Sequence, residues 1–152
     1  MLPIVKILFP TDFSEPSYEA LKTANELASH FSAELILIHV VSTTPVIPAS
    51  PGLTGFHLPK VIEEMKGTAQ KSLEGMVREK VEGETRSRAM VVTGNPPDEI
   101  ARVATDEKVD LLVIATHGLS GWRKFIFGSV AEKVAKLSPC PVLLVQSPSE
   151  ET

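Results

Sequence analysis

The chain has 152 residues, enough for one domain with a sizeable core. A net charge of −4 and an aromatic content of 5% disfavour both broad electrostatic attraction to nucleic acid and a base-stacking platform. A single cysteine, Cys140, excludes an intrachain disulfide and a multi-cysteine metal site, and fits a reducing compartment. The N-terminal apolar run is broken by Lys6 and closes at Pro10-Thr11-Asp12, unlike a signal peptide, and no segment has the apolar length of a membrane span. The expectation is a soluble cytoplasmic protein with neither nucleic acid nor membrane as partner.

Ile4 to Phe9 is rich in branched apolar residues and reads as a first strand. Ser14 to Phe31 has helical spacing: Leu21, Ala24, Ala28 and Phe31 share one face, with Ala20 and Leu27 beside them. Ser14 is the N-cap, and Pro16 then sits in the first turn, where its missing N–H costs nothing. Leu35 to Val41 reads as a second buried strand. Ser42 to Pro59 contains four prolines and two glycines and reads as a long loop, which in a compact domain is usually functional or disordered. Ile62, Met65, Ala69, Leu73 and Met76 follow at helical spacing, with Gly67 and Gly75 weakening that helix. Arg86 to Val92 is a more polar third strand, nearer an edge. Asn95 caps the next helix, with Pro96 and Pro97 in its first turn, Asp98 complementing its dipole, and Ile100, Val103 and Ala104 on its apolar face. Leu111 to Ala115 is strand four. Ser138-Pro139-Cys140-Pro141 leads into strand five, Val142 to Val145. Alternating strands and helices predict an α/β fold, a parallel sheet with helices on both faces and right-handed crossovers. A single domain spans residues 1–147, and residues 148–152 form a frayed tail.

Between strand four and the last helix lies a glycine-bearing segment, Ala115-Thr116-His117-Gly118-Leu119-Ser120-Gly121 through Gly128-Ser129. A loop between a buried strand and a helix is where α/β proteins usually hold phosphate, because helix N-terminal N–H groups are free and the dipole favours negative charge. A nucleotide-binding module is the reading that follows.

Taken together, Pro10-Thr11-Asp12-Phe13-Ser14, His39-Val40-Val41, Gly94-Asn95-Pro96, Gly128-Ser129-Val130-Ala131-Glu132 and Pro139-Cys140-Pro141-Val142 are specific, and over nearly its whole length the chain resembles a small universal stress protein. ATP-binding members of that family carry glycine, two residues, glycine, nine residues, then Gly-Ser or Gly-Thr. Gly118, Leu119 to Phe127, Gly128 and Ser129 match, while Ala115 stands where the first glycine would be. Its Cβ would crowd a ribose if the backbone came close or needed positive φ. The resemblance implies an open five-stranded sheet of order 3-2-1-4-5, of the Rossmann-like, adenine-nucleotide alpha hydrolase-like kind. It places the ligand at the switch between strands one and four, beyond their carboxyl ends. It further implies that Val40 backbone groups read the adenine edge and that Asp12 and the Ala115 region meet the ribose, with Pro10 and Thr11 in the same nucleotide-binding loop after strand one. Gly118, Gly128 and Ser129 would hold phosphates of ATP, ADP or AMP, with Mg²⁺ held largely by phosphate oxygens.

Simpler roles stand beside these. Ser129-Val130-Ala131-Glu132 is a capping box, which accounts for Ser129 and Glu132 structurally. Asp12 can order the turn before the first helix. Arg123 and Lys124 read as a solvated pair, and Trp122, Phe125, Ile126 and Phe127 as packing residues. His117 reads as loop-shaping, His39 as a packed, hydrogen-bonded residue, Cys140 as structural, and His30 and His57 as lacking metal-like companions. No catalytic constellation or metal set is expected, nor a Walker sequence; slow ATP hydrolysis is the most enzyme activity the residues suggest. The expected function is an adenine-nucleotide-binding regulatory or stress-response module. It would be a homodimer paired through the strand-five edge, Val142 to Val145, as is typical of the family. The alternatives are an interaction module of the same fold that binds no nucleotide, and a slow ATP hydrolase.

Overall fold

Leu35, Ile36, Leu37 and Ile38 are consecutive and fully buried, so their strand must be covered on both faces. Burying each contributes roughly 1.5–3 kcal/mol. The computed structural model describes residues 2–43, 58–81, 83–117 and 128–147. In chain order the elements are β1 (Lys6–Pro10), α1 (Glu15–Phe31), β2 (Glu34–Ser42), α2 (Leu58–Lys80), β3 (Ser87–Gly94), α3 (Pro96–Asp106), β4 (Leu111–Ala115), α4 (Ser129–Leu137) and β5 (Val142–Val145). All strand pairs are parallel and the order is β3-β2-β1-β4-β5, as the resemblance implies.

Alternation along the strands divides the core. Ile7, Phe9, Leu35, Leu37 and Val113 meet Ala20, Leu21, Ala24 and Ala28 of α1 and Leu73 and Met76 of α2. Leu8, Ile36, Ile38, Leu112 and Ile114 meet Ile100, Val103 and Ala104 of α3 and Ala131 and Val134 of α4. At the amino ends of the strands, Arg88 on β3 bonds Glu34 on β2 and, at 2.6 Å, Glu107 just after α3. Asp110 accepts the Val5 and Lys6 amides at 2.9 and 3.0 Å, tying β1 to the start of β4.

Several local expectations change. β1 begins at Lys6 rather than Ile4, and β3 at Ser87 rather than Arg86. Phe31, the last residue of α1, is exposed although it shares a helical face with Ala24 and Ala28. Met65 is also exposed; the apolar stripe of α2 is buried only from Ala69 onward. Pro59 belongs to the first turn of α2, not to the preceding loop. Ser14 caps α1 as expected, accepting the Ser17 amide at 3.4 Å. Asn95 holds the N-cap position of α3 but makes no side-chain cap bond. The expectations for the loop from Thr44 to His57, for Gly118 to Phe127, and for the 148–152 tail lie outside the described residues.

Candidate functional site

The switch point falls where β1 is flanked by β2, whose chain continues through α2 toward one edge, and by β4, which continues toward the other. Connections diverge to opposite edges there, which leaves a crevice beyond the carboxyl ends. A cavity of about 290 Å³ occupies it. Pro10, Thr11, Asp12, Val40, Ala115, Gly128 and Ser129 all line it. Of the eight residues expected to bind nucleotide, Gly118 alone lies outside the described residues.

The loop after β1 is held by its own side chains. Thr11 is buried, its hydroxyl accepts the Phe13 amide at 3.0 Å, and it shares a hydrogen bond with Ser17. Asp12 Oδ1 accepts the Ser14 amide at 3.0 Å, so the turn-ordering role is real. Asp12 is nonetheless exposed on the cavity wall. Phe13 takes φ 64° within this turn.

The other wall is the start of α4. Here the capping-box expectation fails: the N-cap is Gly128, no side chain caps the helix, and Ser129 is its first residue. The first intrahelical bond runs from the Glu132 amide to the Gly128 carbonyl at 3.0 Å. The amides of Ser129, Val130 and Ala131 therefore precede the regular ladder, and all three residues border the cavity. The Gly128 amide is different. It donates to the Thr116 carbonyl at 2.6 Å, which removes it as a phosphate donor and makes Gly128 a close-approach residue instead.

Ala115 ends β4 paired with Val145, and it is not among the described non-glycine residues with positive φ, which are Phe13, Ser32 and Lys108. A glycine is therefore not required there by backbone conformation. Thr116 carries no distinctive signal in the sequence beyond its place in the segment after strand four. It is buried, its amide donates to the Val145 carbonyl at 3.0 Å, and its carbonyl receives Gly128. His117 Nδ1 lies 2.9 Å from Thr116 Oγ1, consistent with a loop-shaping part. Ile38, Ile114, Pro96 and Ile100 add an apolar floor and side; the apolar periodicity of α3 points to Ile100, but nothing local in the sequence says it faces this cavity. Pro96 and Pro97 have no N–H, so α3 brings few donors while α4 brings three.

At Val40 the sheet itself is open. The β1–β2 register ends at Pro10↔Ile38, and the Thr11 amide donates to the Ile38 carbonyl at 2.9 Å. Two residues on, the N–H and C=O of Val40 point to the same side, past the end of β1. His39 Nδ1 lies 2.8 Å from the Thr11 carbonyl, and its ring packs 4.6 Å from that of Phe13. Among the described residues no cluster of three or more His, Cys, Asp or Glu is arranged to hold a metal ion. Cys140 is half-buried at the foot of β5; burial pushes its thiol pKa up, against the opposing effect of a hydrogen bond between the Ser138 hydroxyl and the thiol.

The fold is thus an open, doubly wound α/β sheet of Rossmann-like form with a cavity at its switch point. The universal stress protein family model matches residues 4–146, and the chain belongs to that family. Universal stress protein MJ0531 of Methanocaldococcus jannaschii is 36% identical over 146 residues, 96% of this chain and 84% of the relative. Universal stress protein MJ0577 of the same organism is 32% identical over 93% of this chain and 94% of its own. The solved structure of MJ0577 aligns with a TM-score of 0.76 at 30% identity, covering 95% of this chain and 97% of that one. A universal stress protein solved in complex with cAMP aligns with a TM-score of 0.64 at 25% identity, covering 95% and 98%.

Proposed function

We propose that the chain binds an adenine nucleotide, ATP, ADP or AMP, in the switch-point cavity and acts as a homodimeric regulatory module. The observation that carries this is the polarity of the cavity. One end offers the backbone N–H and C=O of Val40, which suit a base edge; the other offers the Ser129, Val130 and Ala131 amides at the positive end of α4, which suit phosphate. Asp12 and Ala115 lie between, where a ribose would sit, and the apolar side chains of Ile38, Ile100 and Ile114 suit the faces of a base. The cAMP complex of a family relative supports the same ligand class. A bound Mg²⁺ would be held mainly by phosphate oxygens, with Asp12 the nearby carboxylate.

The dimer reading rests on β5, an edge strand whose Leu143 is 39% exposed. An open edge with an apolar side chain is a pairing surface, and two copies related by a two-fold axis would cover it. Equilibrium titration calorimetry of the full chain with ATP, ADP and AMP tests the nucleotide reading. Saturable one-to-one binding is expected; no heat and no thermal stabilisation at millimolar nucleotide would leave the interaction-module alternative.

A further inference from the structure

The β1–β2 ladder stops in an unusual way. In a parallel ladder, residues of one strand that face a given neighbour direct both N–H and C=O toward it, and they recur every second residue. On β2, Ile38 is such a residue, and its carbonyl takes the Thr11 amide. The regular continuation is a bond from the Val40 amide to the Thr11 carbonyl. Between these described residues that rung is not made; the Thr11 carbonyl meets His39 Nδ1 instead, at 2.8 Å. A carbonyl only accepts, so Nδ1 carries the proton. The imidazole is fixed by the Phe13 ring, and Phe13 is itself fixed by the bond from its amide to Thr11 Oγ1. The His39 side chain thus falls on the α1/α2 face of the sheet with Leu35 and Leu37, where it borders a hollow with Phe13 and Met65, and both His39 and Val40 line the switch-point cavity.

We infer that His39 is a positioning residue for base recognition: its Nδ1–H occupies the Thr11 carbonyl and so leaves the Val40 N–H open to a ligand, while the Phe13 amide, spent on Thr11 Oγ1, leaves the Val40 C=O open beside it. This rests on the adenine-nucleotide reading above. An adenine edge presents a ring acceptor beside an amino donor, the complement of a free N–H beside a free C=O. Hypoxanthine presents the reverse, a ring N–H beside a carbonyl. Val40 therefore favours ATP over inosine triphosphate, and His39 maintains that preference without touching the base edge.

The test compares the wild-type chain with His39→Ala and His39→Asn, titrating each with ATP, inosine triphosphate and tripolyphosphate. The last carries no base and reports the phosphate end separately. Wild type is expected to prefer ATP over inosine triphosphate by about tenfold, the size of one or two net hydrogen bonds. His39→Ala loses that preference, and His39→Asn, whose side-chain amide can donate to the same carbonyl, recovers it. Should His39→Ala not fold, His39→Phe keeps a ring against Phe13 and lacks the donor. Amide exchange followed by NMR without nucleotide gives an independent readout. The Val40 amide should exchange faster than that of Ile38 in wild type and slow in His39→Ala as the missing rung closes. The inference is overturned if the alanine variant keeps the ATP preference, if asparagine fails to restore it, or if the wild-type Val40 amide is as protected as that of Ile38. A wild-type chain that binds tripolyphosphate alone, or nothing, sinks the nucleotide reading, and the exchange experiment still decides the role of His39.

Discussion

Gly128 donates its amide to the Thr116 carbonyl at 2.6 Å, and a Cβ built on Gly128 would stand 3.0 Å from that same oxygen. The two residues join the end of β4 to the start of α4 and hold the ends of the intervening loop together. Its φ is −56°, so the need for glycine is one of space and not of backbone conformation. Gly128→Ala should push the two backbones apart and destabilise the fold by about 1–3 kcal/mol, the usual cost of overpacking. Urea unfolding measures this. Nucleotide affinity should fall with it, because the α4 amides move with Gly128. A variant as stable and as tightly binding as wild type would show that the close approach has no consequence.

Ser129 offers two groups to a ligand, a hydroxyl and an amide, and its place as the first residue of α4 allows them to be separated. Proline is well tolerated at that position and has no N–H. Gly128, at ψ 146°, already has the extended backbone that a following proline requires. Ser129→Ala should bind nucleotide nearly as well as wild type. Ser129→Pro should lose about tenfold in affinity with little change in stability, in keeping with the loss of one hydrogen bond to a charged group. Isothermal titration of both variants decides; the opposite ranking would assign the contact to the hydroxyl.

Arg88 bridges Glu34 and Glu107 at the end of the sheet remote from the cavity. The hydrogen bond from Arg88 is the main reason the Glu107 carboxyl titrates below its ordinary value. A depressed carboxylate pKa favours the folded state while the group is ionised. That contribution is present at neutral pH and is lost as pH falls through the ordinary carboxylate range to the lower value in the fold. Arg88 is 43% exposed in its side chain, so the loss on Arg88→Met should be on the order of 1 kcal/mol at neutral pH. The stability difference between wild type and Glu107→Gln should shrink toward zero in acid. Chemical denaturation from pH 7 down to about pH 3 follows it across the carboxylate range. Nucleotide affinity should be untouched by either substitution, since neither residue lines the cavity.

Leu143 lies on the β5 edge with 39% of its surface exposed. If two copies pair there, Leu143→Lys places two charges in the contact. It should yield monomers in sedimentation equilibrium with the circular dichroism of the wild type retained. A wild-type chain that is monomeric at high concentration would remove the dimer, and a dimeric Leu143→Lys chain would move it elsewhere.

The sequence alone determined the element order, the apolar strands and the Ser14 cap. Each depends on neighbours within a few residues, and period and capping chemistry are local properties. The family resemblance carried by its motifs also marked seven residues that line one cavity, at the carboxyl ends of β1, β2 and β4 and at the start of α4. Tertiary structure decided the rest. Met65 and Phe31 sit on apolar helix faces and are nonetheless exposed, because burial depends on what each helix packs against and not on its own periodicity. The N-cap of α4 is Gly128 and not Ser129, and the Gly128 amide is already paired because the Thr116 carbonyl, twelve residues earlier in the chain, lies within its reach. His39 reads locally as a packed histidine; its bond to Thr11, 28 residues away, exists only once β1 and β2 lie side by side. Hydrogen-bond partners distant in sequence are selected by strand register, and register is a property of the assembled sheet.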